Sequence, residues 1–441
     1  MKLKIFVWTS SFNLLCVLSV CQAQIHQLDN NGDITTEAPE SVSSCIFTVV
    51  ESMPENLTFA PGQPLHVSTY SAHKRLLAKA TQSIHLTSFY WTLLGTDTEV
   101  HDYSSFEGED IYAELSTIVL NGTVEVKIVQ NVTNNNTDNL ALAGAQVRTL
   151  DFQRLLHAGV LHTKMWIVDK LHVYIGSANF DWRSYTQVKE LGVLIENCPT
   201  LAADADKLFD VYWHFSNPSQ PGLLDSSLAS YSTNINASNP HQVTYNQTKA
   251  LVYLSSSPPP FCADGRSGDI DAILSVIRAA KEFVYISVMD YLPLIVYSMP
   301  QVYWPVIDDE LRRAVIDRKV VVRLLASKWV HTKRDMYAFL NSLNVLKNAT
   351  SLKVNIQVKL FTVPAFTAIQ RDIPFSRVGH SKYMVTDQDA YIGTSNWSGD
   401  YFTSTGGVGF ILHETDDGGL RSQLVNIFNR DWNSSYARDV Y

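Results

Sequence analysis

The chain has 441 residues, 46% of them hydrophobic, and 34 Lys and Arg stand against 43 Asp and Glu for a formal net charge of -9 and a pI near 5.8. That is enough apolar residue for two ordinary domains or one large two-lobed one, and the charge excludes an extended basic groove of the kind that neutralises phosphates along a nucleic acid. Any polyanion must be held locally, by a few positive residues in a pocket, and an acidic surface suits work at low pH.

Lys2 and Lys4 precede an apolar run, Ile5 to Val20, and Cys21-Gln22-Ala23 offers small residues, so residues 1–23 read as a secretory signal cleaved after Ala23. The competing reading is an uncleaved signal anchor, but sixteen residues broken by Thr9, Ser10, Ser11, Asn13 and Ser19 are short for a bilayer span. A polar segment, 24–44, leads into a first half, 45–216. There His73 to Thr81 carries Leu76, Leu77 and Ala80 on one helical face, and Ser83 to Trp91 reads as a strand. Ile111, Leu115, Ile118 and Val119 mark a helix over Asp110 to Val119, followed by short strands Val124 to Val129 and Gln146 to Leu150. Residues 217–246, rich in Ser, Asn and Pro, read as a linker or decorated loop.

The second half, 247–441, repeats the order. A helix opens at Asp269 with Ile270, Ile273, Leu274 and Ile277 on one stripe, and Phe283 to Tyr291 is the matching strand. A helix over Leu311 to Arg318 and strands Val320 to Leu325 and Asn355 to Phe361 complete the echo. The duplication predicts an α/β fold of two similar halves, each a mixed sheet flanked by helices. The sheets would meet face to face about a pseudo-twofold axis, with the active site at their interface.

The closest repeat is a short motif. His162-Thr163-Lys164, Asp169 and Gly176-Ser177-Ala178-Asn179 return as His380-Ser381-Lys382, Asp387 and Gly393-Thr394-Ser395-Asn396, with the histidines 218 residues apart. A lone His on an apolar strand is usually a satisfied core residue, but two copies at matching offsets are not chance. On a strand, His and Lys separated by one residue face the same way. A neutral imidazole beside an ammonium suits an anion, phosphate above all, and Ser177, Ser395, Asn179 and Asn396 add uncharged donors. Lys164, Lys382, Asn179 and Asn396 can surround the non-bridging oxygens of a phosphodiester while His162 and His380 divide attack and protonation. Asp169 and Asp387, five residues beyond their lysines, would face the other way and are expected to brace the scaffold. The sequence has neither a Cys-x-x-Cys nor a His-Glu-x-x-His cluster, and no Gly-rich phosphate loop opens a helix, so no metal and no cofactor is expected.

These two His-x-Lys-x4-Asp motifs resemble those of the phospholipase D superfamily. Ser88 to Thr92, Gly176 to Leu191, Ser257 to Pro260, Asp290 to Pro293 and Tyr391 to Ser398 look like its animal endolysosomal branch, phospholipase D family members three and four, a likeness running from about Cys45 to Trp432. The resemblance implies a homodimeric 5′ to 3′ exonuclease on single-stranded DNA and RNA, working through a phosphohistidine in the lysosomal lumen or outside the cell. It implies that Glu190, 28 residues after His162, accepts the N–H of that imidazole, while Gly407 stands at the equivalent position and leaves His380 without such a partner. His162 is then the nucleophile and His380 the general acid and later base. The resemblance also pairs Cys45 with Cys198 and leaves Cys262 as a free thiol.

Two other functions use the same residues: a transphosphatidylase acting on lysosomal phospholipids, and an inactive binding protein, against which the intact His/Lys pairs argue. Sequons at Asn56, Asn121, Asn131, Asn135, Asn236, Asn246, Asn348 and Asn433 suit glycosylation in a lumenal or extracellular protein, whereas a glycan on the ninth, Asn396, would block the pocket. Phe89, Tyr90, Trp91 and Tyr291 either stack bases or pack the core, and Asp181, Arg183 and Ser184 either support the site or form a structural salt bridge. His85, His157, His172 and His331 have no repeated spacing and are read as structural. Lys164 and Lys382 would lower a motif histidine's pKa and Glu190 would raise it, opposing effects whose balance the fold must set.

Overall fold

The computed structural model describes residues 44–440 apart from 101, 220–221, 223–227 and 415–417, together with 27–28 and 34–35, which pair as two short antiparallel strands. The expected signal over residues 1–23 and most of the polar 24–44 segment lie outside the described residues. From Ser43 onward the chain forms one compact unit.

Its first half runs β1 (Ser44–Ser52), α1 (Thr69–Lys79), β2 (Ser83–Ser88), α2 (Phe106–Asn121), β3 (Glu125–Gln130), α3 (Asn135–Ala143) and β4 (Gln146–Thr149). It continues through β5 (Met165–Val168), β6 (His172–Gly176), β7 (Glu190–Glu196) and α4 (Pro199–Phe215). The Ser68 hydroxyl caps α1 by accepting from Ser71 N–H, and Gly122, at φ 66, ends α2 in the left-handed conformation. The strands lie in the order β4-β3-β2-β5-β6-β7-β1, parallel among the first three and antiparallel thereafter.

The second half runs β8 (His241–Tyr245), β9 (Thr248–Ser257), α5 (Asp269–Ala279), β10 (Phe283–Val288), α6 (Val306–Ile316), β11 (Val321–Ser327) and α7 (Arg334–Asn344). Then come β12 (Ile356–Phe361), β13 (Lys382–Thr386), β14 (Asp389–Gly393), β15 (Gly407–Glu414), α8 (Leu420–Trp432) and β16 (Ala437–Asp439). The run β12-β11-β10-β13-β14-β15-β9 repeats the first sheet strand for strand, with β16 added at one edge and β8 at the other.

Residues 217–246 are more than a linker, because His241–Tyr245 form β8. Val243 and Tyr245 alternate inward, and Asn246 and Gln247, both at positive φ, turn the chain into β9. Thr244 and Tyr245 pair in parallel with Ser44 and Cys45 of β1, joining the two sheets. Val173, Ile175, Leu191 and Val193 from β6 and β7 share one apolar core with Ala390, Ile392, Val408 and Phe410 from β14 and β15. These strands are buried on both faces, and so between polar ends at His172, Glu190, Glu196 and Asp389 their sequences run apolar instead of alternating. Cys45 and Cys198 are disulfide-bonded across 153 residues, fastening β1 to the start of α4, and Cys262 is free. Among the described residues no helix is long and apolar enough to cross a membrane.

Candidate active site

Each motif histidine stands just ahead of its strand and is held by the opposite half. The His162 backbone N–H donates to Gly406 O at 2.9 Å, and that of His380 donates to Lys189 O at 2.8 Å. The single-residue bridges Leu161 with Gly406 and Lys189 with Gly379 complete this exchange. Gly159, at φ 81, permits the approach, since a Cβ there would lie 1.8 Å from Ser404 O. Lys189 is itself fixed in a buried charge cluster, 2.8 Å from both Glu51 and Asp431, with Arg430 bound to the same two carboxylates. Burial works to raise the Glu51 pKa, but Lys189 and Arg430 hold it at about 2.

Both histidines are buried and line a cavity of about 710 Å³ between the halves, together with Asn179, Asn396, Tyr90, Asp290 and Tyr401. The Asn179 amide donates to the Tyr90 hydroxyl at 3.2 Å and that of Asn396 to the Tyr401 hydroxyl at 2.9 Å, leaving one buried polar atom of each amide unpartnered. Lys164 and Lys382 are wholly shielded from solvent and do not form the wall; each donates to the carbonyl of its own histidine. Burial, with Lys382 close by, pushes Lys164 well below the ordinary lysine value; burial takes Lys382 down to about 7 against the pull of Glu190 and Asp290.

The Glu190 carboxylate is not on His162. Its two oxygens lie 2.8 and 3.0 Å from Nδ1 of His380, and Ser184 holds it with a hydroxyl donated at 3.0 Å. The reason is the bridge of Lys189 to Gly379, which delivers the first residue of β7 to the histidine of the other half. His162 instead donates Nδ1–H to the backbone carbonyl of Thr394 at 2.9 Å. Gly407 marks the same asymmetry, for a Cβ there would lie 2.2 Å from Ser395 Oγ.

Burial lowers the pKa of both histidines. At His162 the charges of Lys164 and Lys382 add to burial and drive it well below 6.5; at His380 Glu190 opposes the fall by charge and by hydrogen bond. Both Nδ1 partners accept a proton, so in the neutral form each ring keeps its lone pair on Nε2. Ser177 exchanges hydrogen bonds with Leu191 at the start of β7, while Ser395 Oγ is buried without a partner.

Asp169 and Asp387 sit at the far ends of β5 and β13, outside the cavity. Asp169 accepts from the N–H groups of Thr81, Gln82 and Ser83, and Asp387 from those of Lys281, Glu282 and Phe283. Each carboxylate is held below its ordinary pKa by these bonds, burial pulling the other way. The four aromatics divide: Phe89 and Tyr90 line the cavity, with Phe89 5.3 Å from the His162 ring, whereas Trp91 and Tyr291 are core. Asp181 and Arg183 form a buried pair at 2.8 Å beside Tyr90.

Residues 60–366 match the family described as PLD3/4, PLD-like domain. The chain belongs to this family. The 5′-3′ exonuclease PLD3 of Homo sapiens is 47% identical over 406 residues, covering 90% of this chain and 81% of that protein. The 5′-3′ exonuclease PLD4 of Mus musculus is 42% identical over 414 residues, covering 92% and 81%. The crystal structure of phosphatidylserine synthase from Haemophilus influenzae superposes with a TM-score of 0.54 over 84% of this chain and 85% of that one, at 11% identity, a likeness of fold alone.

Within the PLD3/PLD4 framework the cavity holds residues that repeat spacing does not reveal. Asp290 and Tyr401 lie in the wall, and Trp329, His331, Lys333 and Phe375 extend it outward. His331 therefore faces the site and is not a scaffold residue. Asp290 occupies the place that Tyr90 has in the first half, two residues beyond the end of each strand, so its carboxylate was findable by aligning the repeats. Phe375 and Tyr401 align with His157 and Ser184, five residues before the motif histidine and five after the motif asparagine, but the residue types differ, so the repeat does not mark them.

Proposed function

We propose that this protein is a 5′ to 3′ exonuclease that hydrolyses single-stranded DNA and RNA through a phosphohistidine on His162. The observation that carries this reading is the unequal support of two histidines facing one cavity in a chain 47% identical to an exonuclease. His162, with Nδ1–H on a carbonyl and its pKa driven well below 6.5, keeps a free Nε2 lone pair in acid. His380, kept more basic by Glu190, is the group that carries a proton there.

Nε2 of His162 attacks phosphorus, and the bond to the leaving oxygen breaks as protonated His380 gives that oxygen its proton. Water then attacks phosphorus, passes a proton to His380 and releases the P–N bond, restoring both rings. The charges of Lys164 and Lys382 beneath the histidines and the amides of Asn179 and Asn396 stabilise the charge that develops on the non-bridging oxygens. An arriving phosphate favours both ammonium groups and offsets the depression that burial imposes. This sequence of steps requires no metal.

The lysosomal lumen or the extracellular space, the homodimer and glycans on the eight sequons other than Asn396 belong to the same reading. Asn396 is only 5% exposed, inside the cavity. The test is degradation of a single-stranded oligonucleotide in EDTA at about pH 5, with label on either end. Immediate release of the 5′-terminal mononucleotide, with the 3′-labelled strand shortening stepwise, is expected. Intact oligonucleotide together with head-group exchange on phosphatidylglycerol would move the same chemistry to lipids.

A further inference from the structure

The cavity is larger than one phosphate needs, and its outer wall is aromatic. Phe375 stacks on His331 with ring centroids 4.9 Å apart and planes 24° from parallel, and Trp329 meets His331 edge-on at 4.7 Å. All three line the cavity that holds His162 and His380. Phe375 is nevertheless 60% exposed, and its backbone lies at φ 53, where a bulky residue is disfavoured.

The surrounding loop is built to keep it there. Arg183, paired with Asp181 in the first half, donates to Pro374 O at 2.5 Å. Ser376 donates to Ile373 O at 2.9 Å, and Arg377 donates to Gln187 Oε1 at 3.2 Å. The same left-handed turn occurs at His157, φ 57, five residues before His162, so the turn belongs to the duplicated loop. What is particular to Phe375 is a large apolar ring held there 60% exposed, which packing does not explain.

We infer that Phe375, backed by His331 and Trp329, is a stacking shelf for a nucleobase next to the scissile phosphate and sets the preference for single strands. This deepens the exonuclease reading and rests on it. A flat aromatic face accepts any base without reading its edge, which suits a nuclease indifferent to sequence. A base locked in a duplex has no free face to offer, and a phospholipid has no base at all. Phe375 is thus a specificity-determining residue, outside the chemistry of the two histidines.

The test compares a short single-stranded DNA with the same strand carrying an abasic tetrahydrofuran residue at its first or second 5′ position. The wild-type protein is expected to prefer the intact strand at one of these positions by about 5- to 100-fold in kcat/KM. In F375A that ratio should fall toward one, through a rise in KM on the intact strand, and F375W should restore it. A ratio near one in the wild-type protein, or a ratio unchanged in F375A with Tm intact, overturns the shelf. Wild-type protein that cleaves neither strand overturns the exonuclease reading instead, and the shelf with it.

Discussion

The two halves share a motif, a strand order and even the pairing that hands each histidine to its opposite half, yet they support those histidines differently. In the first half His162 has a backbone carbonyl, and in the second His380 has a carboxylate. A carbonyl fixes the tautomer without adding charge, while a carboxylate also favours the imidazolium. In the mechanism we propose, a duplicated site thereby acquires two roles, one ring kept neutral for attack and one kept able to carry a proton. The Cβ that Gly407 lacks would collide with Ser395, so the second half has no room for a Glu190 of its own.

This contrast can be broken most severely at the nucleophile. H162A should lose activity by about 10⁴-fold or more on every phosphodiester, measured as single-turnover hydrolysis. H380A should lose on the order of 10²- to 10⁴-fold on an oligonucleotide, and recover much of it in the first-turnover release of p-nitrophenol from a nucleotide p-nitrophenyl ester, whose leaving group needs no proton. Equal losses on both substrates would refute the division of roles.

E190Q should be milder, on the order of 10²-fold, with a characteristic signature in pH. The proposed mechanism needs His162 neutral, above its depressed pKa, and His380 protonated, below its own; both are lowered from 6.5, so kcat/KM should already be declining before pH reaches that value. Glu190 raises the His380 pKa, so its loss should move the alkaline limb to lower pH and leave the acid limb in place. The smallest effect is expected at Gly407. G407A should cost about 1 to 3 kcal/mol of stability by overpacking against Ser395 and Ser257, read as a fall in Tm with the catalytic pH profile unchanged.

Much of the scaffold is legible in the sequence because it depends on local periodicity. The stripes at Leu76 and Leu77 and at Ile273 and Ile277 face the core, and the matched strands occur in the same order in both halves. Strand β8 is obscured by the Ser- and Asn-rich stretch before it, although His241 to Tyr245 alternates and Asn246-Gln247 forms a turn. The partner of Glu190 is not legible by counting along one half. The resemblance, carried along one half, places it on His162, and only the bridge between Lys189 and Gly379 shows that it crosses to His380. The outer wall of Trp329, His331 and Phe375 escapes for another reason. Its residue types occur in one half only: Phe375 aligns with His157, which shares its left-handed backbone but not its side chain, so a search for repeated residues passes over it.

The most direct measurement is rapid acid-free quenching of H380A with a nucleotide p-nitrophenyl ester, whose leaving group needs no proton, followed by peptide mass spectrometry for a nucleotidyl adduct. The adduct is predicted on the peptide carrying His162, accumulating because the proton carrier for its hydrolysis is gone. In the converse variant, H162A, no adduct should form. A nucleotidyl group on His380 in H162A, with none on His162 in H380A, would contradict the account.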